Sequence, residues 1–218
     1  MHISDGILSP ELAGAGYVLG AGLTLWSLRS MNTEEIPRVS VVTAGFFAAS
    51  LLHLKLGPVS VHPVLNGLVG MVLGTASIPA IAVGLLFQAV LFGHGGLTSL
   101  GANLVCIGGP ALIAGLVFRG ARAVGTGRTL LLPRAFLAGV IGVAGGIILV
   151  GSLVALTEKS FVPLVRIAVG AHIALAGIEG VLCVMVAEFL SRVKPSLLGL
   201  VRIPRSGDTE ARTCGDGA

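Results

Sequence analysis

Apolar residues run through this chain in long stretches broken by short polar intervals. Seven stretches can be read, at about 10–28, 39–55, 63–77, 79–93, 102–118, 135–157 and 164–191. Several approach the roughly 20 residues that carry a helix across a bilayer. The third and fourth are short and divided only by Ser77-Ile78-Pro79. Strands of a membrane barrel would alternate apolar and polar positions, and a run such as 135–156 does not. The pattern predicts an all-α fold, a polytopic membrane helix bundle of seven transmembrane helices over residues 1–193. Residues 194–218, polar and glycine-containing, read as a flexible cytoplasmic tail.

Composition agrees with that class. The chain is 54% hydrophobic and 11% charged, against roughly 25% charged residues in a soluble domain. The 33 glycines include pairs four apart, Gly16/Gly20, Gly70/Gly74 and Gly142/Gly146, a spacing that lets helix backbones approach closely in lipid. The three cysteines form neither a disulfide framework nor a CxxC site: Cys106 and Cys183 lie in apolar stretches and Cys214 in the polar tail. Residues 1–9 lack the basic start of a signal peptide and carry Asp5 instead.

Charge sets an orientation. Arg29 and Arg38, then Arg119, Arg122, Arg128 and Arg134, then Arg192, Lys194, Arg202, Arg205 and Arg212 fall on one side if the helices alternate. Only Lys55, Lys159 and Arg166 fall on the other. The positive-inside rule places the larger group in the cytoplasm and the N-terminus outside. The net charge of +4 is thereby explained by topology, and no nucleic-acid partner is implied. All five histidines, His2, His53, His62, His94 and His172, then belong to the outer half.

The chemistry concentrates at the outer face. A free amine on Met1, the amide nitrogen of residue 2 and the ring of His2 supply three nitrogen donors in fused chelate rings, an arrangement suited to Ni(II) or Cu(II). Met1 is expected to be retained, because histidine is bulky at the second position. In Gly57-Pro58-Val59-Ser60-Val61-His62-Pro63, Pro63 suits the first turn of a helix, which would hold His62 at a helix start, and its ring would complete a four-nitrogen square. His94, among glycines, reads as an axial ligand, a ligand on the metal's way in, or a solvated loop residue. Asn66 and Asn103 fall at helix starts and are candidates for orienting His62 or capping a helix. His172 and Glu179, seven apart, share a face of the last helix, and an ionisable residue inside a span points to function or to structural pairing. There is no phosphate-binding loop, HExxH or G-x-S-x-G, so neither ATP hydrolysis nor another enzyme activity is expected, and no cofactor.

Met1-His2-Ile3-Ser4-Asp5-Gly6, the Ser60-Val61-His62 turn leading to Asn66-Gly67-Leu68, Gly95-Gly96-Leu97-Thr98 to Gly101-Ala102-Asn103, and His172 with Ile178-Glu179-Gly180 resemble the substrate-binding membrane subunits (S components) of energy-coupling-factor nickel and cobalt transporters, over residues 1–193. The resemblance implies seven helices, an N-terminal peptide tucked into the bundle, and metal held by the Met1 amine, the His2 amide nitrogen and ring, and the His62 ring. It also implies partners: a membrane coupling (T) subunit, two cytoplasmic ATPase subunits, and a small accessory membrane subunit that some relatives carry fused. Ser4-Asp5 and Val59-Ser60-Val61 look more like the nickel type than the cobalt type, and planar nitrogen geometry also favours Ni(II) as substrate over Co(II). Two other classes fit the residues: a stand-alone carrier driven by the membrane potential, and a structural or sensory membrane protein with an incidental histidine-rich exterior.

Overall fold

The computed structural model describes residues 2–52, 54–56, 59–120 and 128–199. Among these are seven α-helices: α1 (Pro10–Ser30), α2 (Ile36–Ser50), α3 (Asn66–Leu73), α4 (Ser77–Phe92), α5 (Leu100–Arg119), α6 (Arg128–Thr157) and α7 (Val162–Val193). A short antiparallel hairpin, β1 (Leu54–Leu56) and β2 (Val59–Val61), separates α2 from α3, with Leu54 opposite Val61. Local chemistry sets several boundaries. The Ser9 hydroxyl accepts the Leu12 N–H and Pro10 opens α1, where an N–H has no partner to lose. Gly93, in the left-handed region at φ 63°, closes α4.

Among the described residues four stretches are long and apolar enough to cross a membrane, Asn66–Phe92, Leu100–Arg119, Leu130–Thr157 and Lys159–Val193. The first of them folds back on itself. Along α3 the packing partners move steadily down α5: Asn66 bonds the Ile107 carbonyl, Gly70 rests on Ala111, and Gly74 rests on Arg119. By the end of α4 the chain has returned, and Gly95 lies beside Asn103, near the start of α5. The reversal occurs at Gly74, whose φ of 62° and ψ of −123° are a conformation open to glycine. Segments three and four of the sequence reading are thus two separate helices that run in opposite directions.

The end of the bundle holding residues 2–5, the β-hairpin and residues 93–99 is termed the upper end. Helices α1, α3, α5 and α7 run down from it, and α2, α4 and α6 run up. The glycines expected to bring helices together do so. Gly16 and Gly20 of α1 lie on Gly101, Ala102 and Leu104 of α5, and Gly142 of α6 lies on Asn66 and Gly67. Gly139 of α6 abuts Glu179 and Gly180 of α7, while Gly67 of α3 abuts Ala138 and Gly139, so three helices meet with almost no side chain between them. Cys106 and Cys183 are buried free thiols within the apolar core. At the lower end the Arg38 guanidinium donates to the carbonyls of Val72 and Leu197, and Ser27 donates to the Thr75 carbonyl at 2.7 Å.

Three expectations are corrected. The second segment does not extend helically to 55: α2 ends at Ser50 and residues 54–56 are a strand. Residues 59–61, expected as loop, are the partner strand. Pro63 is not in the first turn of a helix, because α3 begins at Asn66 with Leu65 as its cap. Of the tail, Pro195–Leu198 forms a 3-10 turn with Leu198 buried, and residues 200–218 lie outside the described residues.

The close contacts generate a paired prediction. Gly70→Val places a side chain into the Ala111 backbone and is expected to destabilise the detergent-solubilised protein by about 1–3 kcal/mol or more. Gly14→Ala, where a Cβ meets nothing within 4 Å, is expected to be neutral or to stabilise by up to about 1 kcal/mol. Thermal melts of the two variants check this, and equal losses would contradict the packing described.

Candidate metal centre

Two non-helical segments, residues 2–5 and 62–65, come together near the upper end. The first is held by α5. The Ile3 N–H donates to Asn103 Oδ1 at 2.8 Å, and the Ile3 carbonyl accepts from Asn103 Nδ2 at 2.9 Å and from Ser99 Oγ at 2.5 Å. A carboxamide carries a donor and an acceptor side by side, so Asn103 satisfies both backbone groups of one residue, as a neighbouring strand would. The Ile3 side chain is 1% exposed, anchored in the core. Two residues on, Asp5 accepts the N–H groups of Thr98 (2.8 Å) and Leu97 (3.2 Å) and the Thr98 hydroxyl (2.5 Å). The Thr98 hydroxyl above all, with the backbone N–H groups of Thr98 and Leu97, holds the Asp5 carboxyl below the usual carboxylate range. The sign follows: this strap is fully made above the ordinary aspartate pKa and is lost as pH falls through the lowered one. Glycines let the chain lie this close, since a Cβ on Gly96 would strike Asp5 and one on Gly95 would press on Asn103 and His2.

The second segment is held by α7. His62 follows β2 and is 3% exposed, and its Nδ1 lies 3.1 Å from the Pro63 carbonyl. A carbonyl only accepts, so Nδ1 carries the hydrogen and Nε2 keeps a lone pair. The next two N–H groups, of Val64 and Leu65, donate to the two oxygens of Glu179 at 2.5 and 2.9 Å. Leu65 stands in the left-handed region at φ 53°, a conformation costing a residue with a Cβ roughly 1–2 kcal/mol. Asn66 then fastens the start of α3, its Nδ2 donating to the carbonyls of Ile107 in α5 (3.1 Å) and Gly142 in α6 (2.9 Å).

The outcome is a pair. The rings of His2 and His62, sixty positions apart in sequence, lie with centroids 4.9 Å apart and planes within 12°. The two rings are stacked face to face. Among the described residues no group of three or more His, Cys, Asp or Glu side chains converges. Met1 lies outside the described residues, as does His53.

The other candidates separate. Asn103 is beside His2, through Ile3 and Gly95, rather than beside His62. Asn66 fixes a helix start four residues beyond His62. His94 is half-buried on the loop that covers His2, its ring 6.1 Å from that of Phe92. His172 is buried in the upper part of α7, its Nδ1 donating to the Ala168 carbonyl at 2.7 Å. Ser99, Asp5 and Thr98 were not read from sequence as holding the terminal peptide. A carboxylate inside an apolar stretch was a legible signal at Glu179, but its target, the backbone after His62, was not.

The fold is a bundle of apolar helices, four stretches of which, among the described residues, are long and apolar enough to cross a membrane, with the N-terminal peptide packed beside the segment that precedes a short interior helix. The matching family model is CbiM, described as the cobalt uptake substrate-specific transmembrane region, and it covers residues 2–197. The chain belongs to this family of metal-transport components, which is not an enzyme family. A Haemophilus influenzae relative, provisionally named a metal transport protein, is 34% identical over 91% of this chain and 97% of its own length. The fused nickel transport protein NikMN of Rhodobacter capsulatus is 30% identical, over 97% of this chain and 68% of its own length. A crystal structure of a transition metal transporter superposes with a TM-score of 0.75 at 20% identity, covering 88% of this chain and 93% of that one, which shows a shared fold.

The Ile3 clamp yields a second prediction. Asn103→Ala removes both of its bonds to Ile3 and leaves that residue's N–H without the partner described. A cost of about 1–3 kcal/mol is expected, localised to the terminal peptide. Hydrogen–deuterium exchange should quicken at residues 3–5 while α6 and α7 stay protected, and unchanged exchange at Ile3 would contradict the clamp.

Proposed function

We propose that this chain is the substrate-binding subunit of an energy-coupling-factor transporter, taking up Ni(II) in preference to Co(II). The metal is held by the Met1 amine, the amide nitrogen and ring of His2, and the ring of His62. The observation that carries the reading is the His2–His62 pair at 4.9 Å, built by two segments that have no other evident reason to meet. The tautomer of His62, which leaves Nε2 with its lone pair, supports it. The relative named as a fused nickel transport protein favours nickel, and so does a planar all-nitrogen donor set.

The bundle crosses the cell membrane seven times with its upper end outside. Arg38 and Arg119 lie at the lower end, in keeping with a basic cytoplasmic face. Transport draws on a membrane coupling subunit and two ATPase subunits, with a small accessory membrane subunit as a further partner. His94, on the loop over His2, stands on the metal's way in.

Nickel titration of the purified chain tests the site. One Ni(II) per chain is expected, as a diamagnetic near-planar adduct whose affinity falls as pH is lowered, because every donor must lose its proton. A tag placed before Met1 should abolish binding as thoroughly as His2→Ala or His62→Ala. A six-coordinate paramagnetic adduct, or full binding with the tag retained, would defeat the terminal chelate.

Reconstitution tests the energy source. Alone in liposomes under a membrane potential, the chain should bind nickel without accumulating it. Sustained uphill uptake without ATP or partners would instead establish the stand-alone carrier.

A further inference from the structure

The carboxyl group of Glu179 has an unusual assignment for an acidic side chain deep in an apolar helix. It is 2% exposed, and both oxygens are committed to successive backbone N–H groups, those of Val64 and Leu65. These follow His62 at two and three residues' distance, and the intervening residue, Pro63, is the one whose carbonyl fixes the His62 tautomer. Because α3 starts only at Asn66, with Leu65 as its cap, residues 62–64 lie outside its hydrogen-bond ladder.

The base of this support is rigid. Glu179 sits where Gly139 admits the α7 backbone at residues 179–180, and where Gly67 admits the α6 backbone at 138–139. Phe136 closes over Gly180 from the side. The carboxyl group therefore projects from a fixed three-helix contact onto the segment that leads from His62 into α3. Leu65 shows the grip, since it is held in the left-handed region that glycine, not leucine, favours.

We propose that Glu179 is the positioning residue of the metal site: by taking the N–H groups of Val64 and Leu65 it sets the height and direction of His62 opposite His2. It touches no metal and acts through the backbone. The inference rests on the reading that His2 and His62 bind one metal, and it deepens that reading by giving the fourth nitrogen its anchor.

The test uses the full chain, stripped of metal in detergent and titrated with Ni(II) against a competing chelator. Glu179→Gln keeps the size of the side chain but turns an amide NH2 toward one of the two N–H donors. Nickel affinity should fall by about 10–100-fold, as when groups that orient a ligand are lost. The visible spectrum should approach that of His62→Ala. On a His62→Ala background the same substitution should change the residual affinity by less than about twofold, because residues acting through one ligand are not additive. A merely structural role would lower both alike.

The outcomes separate. If the unaltered chain shows no one-to-one nickel binding, the metal-site reading itself fails and takes this inference with it. If nickel binds and His62→Ala weakens it while Glu179→Gln does not, the reading stands and the inference is overturned. Equal losses on both backgrounds also overturn it. Should Glu179→Gln not be recovered folded, Glu179→Asp retains both oxygens one methylene further back and should weaken binding by several-fold on the same selective pattern. Failure of both variants to fold would make Glu179 a folding residue and end the assignment.

Discussion

The constraint on which this molecule depends is the satisfaction of non-helical backbone inside an apolar bundle. Helices in lipid complete their own hydrogen bonds, whereas an irregular segment there must find partners within the protein. Residues 2–5 and 62–65 are such segments, and each is answered by specific side chains. Asn103 and Ser99 take both backbone groups of Ile3, Asp5 ties the peptide to Leu97 and Thr98, and Glu179 takes the N–H groups of Val64 and Leu65. Three of the buried polar residues, Ser99, Asn103 and Glu179, serve these two segments.

That arrangement is possible because the helices beneath it come unusually close. Gly16 and Gly20 seat α1 on the first turns of α5, which places Asn103 and Ser99 where the terminal peptide passes. Gly67, Gly139 and Gly180 bring α3, α6 and α7 to near backbone contact, which delivers Glu179 to the start of α3. Small residues in membrane helices are read as packing devices. Here the packing also determines which polar side chain meets which stretch of backbone.

Much of this was legible in the sequence. The seven helices among the described residues and their approximate limits followed from the apolar stretches, whereas the reversal between α3 and α4 falls at Gly74, ahead of Ser77-Ile78-Pro79, which form the start of α4. His2, His62 and Asn103, all named from the sequence, lie near the upper end of the bundle, Asn103 on the backbone of Ile3. The misreadings share a place: between Leu51 and Leu65 the alternations Leu52-His53-Leu54-Lys55-Leu56 and Val59-Ser60-Val61-His62 carry the strand signal, and they run into the ends of neighbouring apolar stretches. Pro63 suggested a helix start by its own preference, while the true start, Asn66, is fixed by carbonyls of Ile107 and Gly142 that no local pattern reveals. The target of Glu179, 114 residues from its partner Leu65, likewise exists only in the folded chain.

The brevity of α3 has one more consequence. At about 1.5 Å per residue, its 8 residues span only about 12 Å, well short of a bilayer's roughly 30 Å hydrocarbon core. The chain must therefore travel inward in extended form before α3 can begin, and this brings His62 to the level of the buried first turns of α5. An ion resting there would lie below the plane of the surrounding helix ends. It would have exchanged its hydration shell for protein donors in a medium of low dielectric, where a charge is far less well solvated than in water. The short helix thus makes the depth of the His2–His62 pair, and with it the cost of dehydrating any cation that came to rest there, a property of the fold rather than of those two residues alone.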